Sequence, residues 1–144
     1  MSTLPSLSFS HRAKATPYDH ADLERLAACA LPHCLAIAKK TNSPLAHLDS
    51  IDISILGTRA MARVHRDFLD IPGATDVITF PYGEILVCAP VAATRAPDFH
   101  HTTTTELALY IIHGFLHLSG HDDTTPQAAK KMAAAQFRIL AEIL

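Results

Sequence analysis

The chain has 144 residues, 49% of them hydrophobic and 18% charged, with a formal net charge of −2. This is the size of one ordinary domain with its own core; it excludes a disordered chain and a strongly basic nucleic-acid binder, although a local basic patch could still meet RNA. The apolar runs are too short to span a bilayer and no export signal stands near the N-terminus, so a cytoplasmic location without a membrane partner is expected.

In chain order, residues 6–10 alternate polar and apolar and predict a half-exposed strand. A helix is predicted from about Asp19 to Lys40, with Leu23, Leu26, Ala27, Ala30 and Leu31 at helical spacing. Pro32 should kink or divide it. Alternation returns at 49–56, where Ile51, Ile53 and Leu56 mark a second strand. From about Thr58 to Leu69 the period is helical, with Met61, Val64 and Phe68 on one side, until Pro72-Gly73 breaks it. Asp76–Phe80 and Glu84–Cys88 read as two strands, close enough to form a hairpin through Tyr82-Gly83. Residues 94–102 read as loop. Helices follow from about Thr104 to Ser119 and from about Thr125 to Ile143. The last starts on Pro126 and carries Met132, Phe137, Leu140 and Ile143. This pattern predicts a single α/β or α+β domain, a small mixed sheet with helices packed on it.

The three cysteines, Cys29, Cys34 and Cys88, are odd in number and lack a Cys-x-x-Cys pair, so buried free thiols are expected. Histidine is the unusual residue: ten are present, against no tryptophan. Lys39-Lys40 and Lys130-Lys131 read as solvated helix ends rather than RNA contacts, and His100-His101 as loop residues, with a stray metal site as the alternative.

Between 107 and 118 almost every residue is apolar, so the helix there is a buried one. At 100° per residue, its polar exceptions Glu106, Tyr110, His113 and His117 fall within about 60° of one another. A polar stripe on a buried helix must face a cleft, water or an ion. His113 and His117, one turn apart, can share one transition-metal ion, most simply zinc. Gly120 can end the helix in a left-handed conformation and bring His121, Asp122 or Asp123 back as a third ligand. The spacing is like that of zinc endopeptidases. Those enzymes carry a glutamate directly after the first histidine; Gly114 stands there and cannot take a proton, which argues against peptide hydrolysis. Glu106 could close a capping box with Thr103 or sit behind His113 as an acceptor; the cap is the preferred role.

His113-Gly-Phe-Leu-His-Leu-Ser-Gly-His-Asp-Asp123 resembles the signature His-Gly-x-Leu-His-Leu-x-Gly-Tyr-Asp-His of the YbeY family, bacterial rRNA maturation factors described as single-strand endoribonucleases. Thr75-Asp-Val-Ile-Thr-Phe-Pro81 is similar to the family's Thr-Asp-Val-Leu-Ser-Phe-Pro strand, and Glu84–Cys88 to the strand that follows it. His65-Arg66 stands where the family has its arginine. The resemblance is clear from about residue 58 to 125.

It implies one domain with a four-stranded mixed sheet and about four to six helices. It also implies a zinc cleft, a cytoplasmic endoribonuclease acting on ribosomal RNA (maturation of the 16S 3′ end, ribosome quality control), and the small ribosomal subunit with its assembly factors as partners. The family's third histidine falls on Asp123 and its tyrosine on His121. Asp123 keeps the spacing after the glycine and is the preferred third ligand; His121 would need a tighter turn. A carboxylate ligand lowers the charge of the site by one and admits other divalent metals. Arg66 is then the candidate for phosphoryl charge, and His65, His121 and Asp122 are candidate proton carriers, unranked among themselves. From the residues alone, Arg66 could as well be an exposed helix charge paired with Asp70. Asp76 could stand behind a ligand as an acceptor or be a turn residue at a strand start; the turn role is preferred. Two other classes stay open: a ribosome-assembly factor with a structural metal, and a metal hydrolase of another small substrate.

Overall fold

The structure, a computed structural model, describes residues 4–38 and 43–144. Its strands are β1 (Ser6–His11), β2 (Ser50–Leu56), β3 (Val77–Phe80) and β4 (Glu84–Cys88). Its helices are α1 (His20–Ala36), α2 (Pro44–His47), α3 (Thr58–Leu69), α4 (Ala89–Arg95), α5 (Thr103–Leu118) and α6 (Pro126–Ile143), with a 3-10 turn at Ala96–Phe99.

The sheet order is β1-β2-β4-β3. β1 runs parallel to β2 and β2 parallel to β4, while β3 pairs antiparallel with β4 in the predicted hairpin. The mixed four-stranded sheet in one α+β domain is therefore the expected architecture. Gly83 closes the hairpin at φ +109, and a Cβ there would meet the Ser50 carbonyl at 2.8 Å.

Alternation assigns each strand's faces. Ile51, Ile53 and Ile55 of β2, with Ile85 and Val87 of β4, enter the main core under α1, α5 and α6. Leu86 and Cys88 of β4, with Ile78, enter a smaller core with Met61 of α3 on the other face. β4 is apolar along almost its whole length because both its faces are covered.

Three expectations need correction. Pro32 does not divide α1, which runs on to Ala36. A proline removes one helical hydrogen bond, and here Leu31 and Cys34 on either side of it are buried in the core and hold the turn. The part of the predicted helix at Lys39-Lys40 lies outside the described residues. The segment 94–102 is not plain loop, because α4 reaches Arg95 and a 3-10 turn follows. Cys29 is exposed, whereas Cys34 and Cys88 are buried; burial pushes the Cys34 thiol up to about 12.

Candidate metal centre

α5 begins on the side chain of Thr102, which accepts the amide of Thr105. Thr103 and Glu106 thus form no capping box, because the cap sits one residue earlier than the spacing suggested. Glu106 is 2% exposed and its carboxylate accepts from His101 Nδ1 at 2.9 Å. It does not reach behind His113 either. That place belongs to Gln136 of α6, whose Oε1 accepts from His113 Nδ1–H at 2.8 Å.

This bond sets the tautomer. With the proton on Nδ1, the lone pair of His113 sits on Nε2. The Nε2 atoms of His113 and His117 face each other 3.1 Å apart. Two nitrogens at 2.0–2.1 Å from one tetrahedral ion would be about 3.3 Å apart, so the pair is already spaced for a shared metal. Burial, then the neighbouring His113, lowers the pKa of His117, which favours the neutral, ligating form.

The chain then turns sharply. Gly120 has φ +97. The Gly120 amide donates to the His117 carbonyl and the His121 amide to that of Leu116, a Schellman closure. It returns Asp123 Oδ2 to 3.9 Å from both Nε2 atoms. Asp123 is half-exposed and can rotate the rest of the way. Among the described residues, His113, His117 and Asp123 form the group of donors able to hold a metal, with all three ligand atoms within 4.8 Å. His121 instead lies with its Nδ1 3.2 Å from Ser119 Oγ.

These donors line a pocket together with Leu118, Asp76, Val77 and Thr79 of β3, and Pro81 just after it. The Thr79 hydroxyl is buried and has no hydrogen-bond partner among the described residues. Asp76 does more than the turn role predicted for it. One oxygen accepts from the Val77 amide, and the other from Arg95 Nη1 at 2.9 Å. A second cleft adjoins, lined by Glu106, Tyr110, His113, Gln136 and Arg95 among others. The polar stripe of α5 therefore faces clefts along its length.

Arg66 is not brought to this pocket. It is exposed near the end of α3 and its Nε lies 3.3 Å from Asp67, rather than from Asp70. Gly114 packs against the sheet, where a Cβ would lie 2.8 Å from Ile85 Cδ1. No side chain there could serve the site.

Sequence reasoning missed Gln136 and Arg95. Gln136 had a signal: it stands between Met132 and Leu140 at i+4 steps, a polar residue in an otherwise buried stripe. Arg95 had none, because its partner Asp76 is 19 residues away.

The sequence model of the family described as Endoribonuclease YbeY matches residues 9–144. A relative from Mycolicibacterium gilvum, named Endoribonuclease YbeY, is 37% identical over 125 residues, covering 74% of this chain and 68% of the relative. One of the same name from Mycobacterium tuberculosis is 38% identical, covering 74% and 69%. The solution structure of TM1509 from Thermotoga maritima shares the fold, with a TM-score of 0.58 and 22% identity over 94% of this chain and 88% of that one.

Proposed function

The chain belongs to the YbeY family, and from that premise we propose that it is a metal-dependent endoribonuclease that cuts single-stranded RNA. The observation that carries the reading is the convergence of His113, His117 and Asp123 on one pocket. Zinc suits two imidazoles and a carboxylate, and the carboxylate also admits other divalent metals. When bound, the ion supplies Lewis acidity toward a phosphoryl oxygen or water.

The protein's own part is positioning. Gln136 holds His113 with Nε2 presented to the pocket. The unpartnered Thr79 hydroxyl is a donor for a phosphodiester oxygen. Asp76 would repel a phosphate, but Arg95 neutralises it and keeps a guanidinium at the pocket's border. Arg95 is therefore the better-placed cation. Arg66 would have to leave Asp67 to serve the same phosphate. His121, held beside Ser119 and two residues before Asp123, is the proposed proton carrier.

The geometry weighs against a structural metal. All three donors lie within residues 113–123, so an ion clamps only the end of α5 to the turn after it. Three protein ligands leave a fourth position open, as catalytic sites do and closed structural sites do not.

We place the activity in the cytoplasm on ribosomal RNA, at the 16S 3′ end and in ribosome quality control, with the small subunit and its assembly factors as partners. The family likeness supports this. Purified protein should cut single-stranded RNA, stop when chelated, and keep its circular dichroism spectrum. Unfolding on chelation would favour an assembly factor with a structural metal. Equal activity on simple phosphoesters would favour another hydrolase. In cells lacking the gene, accumulated 16S precursor should be cleared by the wild type and not by His117→Ala.

A further inference from the structure

On the face of the sheet opposite α5, three aromatic rings form a ladder. Phe68 of α3 meets Phe80 of β3 edge-on, with centroids 5.5 Å apart, and Phe80 stacks on Tyr82 at 5.5 Å and 15°. Phe68 and Tyr82 are 68% and 69% exposed. Such exposure is unusual for two large rings already in contact with a third.

The ladder lies in a groove that Arg12 and Arg63 also line. Both arginines are exposed, and neither makes an ion pair among the described residues. Arg12 donates only to Ser10 Oγ among the hydrogen bonds to its side chain. The carboxylate in the groove, Glu84, accepts the Tyr82 hydroxyl and fixes that ring. Stacked faces bordered by uncommitted guanidiniums suit bases and phosphates together. The position of the groove beside the metal pocket of a chain read as cutting RNA favours that occupant over a protein.

One strand separates the groove from the metal pocket. β3 is an edge strand, and alternation along it and the turn that follows puts Val77, Thr79 and Pro81 on the metal pocket and Phe80 and Tyr82 on the groove. A chain leaving the pocket over the free edge of β3 arrives on the rings.

We propose that this groove binds the single RNA strand beyond the scissile phosphate, stacking its bases on Phe68, Phe80 and Tyr82 and pairing its phosphates with Arg12 and Arg63. The proposal rests on the RNA-cutting reading above.

The test compares an unstructured RNA of about 12 nucleotides, within the usual span of a single-strand site, with a dinucleotide too short to cross β3. Phe68→Ala and Tyr82→Ala each raise KM for the long RNA about fivefold or more and leave kcat unchanged, the loss expected for one stacked base. Both variants cut the dinucleotide at the wild-type rate. Arg12→Ala and Arg63→Ala each reduce the slope of log affinity against log salt by about 0.7. Unchanged KM on the long RNA overturns the groove, and so does equal loss on the dinucleotide. If the wild type cuts neither RNA, the endoribonuclease reading fails. Fluorescence anisotropy with the same long RNA then decides the groove alone, which stands if the wild type binds more tightly than the variants and falls if all bind alike.

Discussion

α5 and α3 are built on opposite plans, and each shows its function where it departs from its plan. α5 is apolar nearly all round and buried against the sheet and helices α1, α4 and α6; its anomalies are polar, and two of them, His113 and His117, meet at the metal centre. α3 is amphipathic with only Met61 fully buried; its anomaly is apolar, the ring of Phe68 standing in solvent. A residue that contradicts its element is costly in the folded state, so it persists where something else uses it. On α5 the sequence showed the contradiction, because a histidine differs from its neighbours in kind. On α3 it did not, because Phe68 continues the stripe of Met61 and Val64 and differs only in having no core above it.

The largest effect expected on the α5 side is His117→Ala. Losing a donor should abolish metal retention, read by elemental analysis, and lower RNA cleavage about 1000-fold, since metal polarisation contributes several kcal/mol. Cleavage within tenfold of the wild type would remove the metal from the mechanism.

On α3 the contrast is within the stripe. Met61→Ala should cost about 2–5 kcal/mol in denaturant unfolding, whereas Phe68→Ala should stay within about 0.5 kcal/mol. Equal losses would mean that Phe68 is packed in solution and that the two helices do not differ as described.

Gly114→Ala tests the close approach of α5 to β4. Its Cβ would lie 2.8–2.9 Å from two atoms of Ile85, so a loss of about 1–3 kcal/mol is expected. Ile85→Ala in the same chain should return part of it, a non-additivity that a double-mutant cycle reads directly. Gln136→Leu is milder: the fold stays intact and metal affinity falls about tenfold, because the His113 tautomer is no longer held. Metal titration followed by calorimetry would show it, and unchanged affinity would mean that Gln136 does not orient the ligand.

The smallest effect is a pH dependence. The His117 pKa lies below its unfolded value because of burial and His113. A histidine whose folded pKa is lowered stabilises the fold above the unfolded pKa, near 6.5, and that stability is lost as pH falls through it. The metal-free protein should therefore lose melting temperature more steeply on acidification than metal-free His117→Gln. Parallel curves would show that the neutral form is not favoured by the fold.

The sequence by itself determined the mixed α+β domain, the β3–β4 hairpin, the buried helix and its two histidines, since all of these are periodicities of 2 or 3.6 residues and local turn chemistry. It also brought Asp123 within reach, because Gly120 and the turn are local to α5. Only the tertiary structure decided which acceptor stands behind His113, that Asp76 is paired with Arg95, that Pro32 is carried inside α1, and that Phe68 faces water. Each of these depends on a group distant in the chain or on the absence of one. Position along an element says which way a side chain points, but what it meets there is settled by how the elements pack.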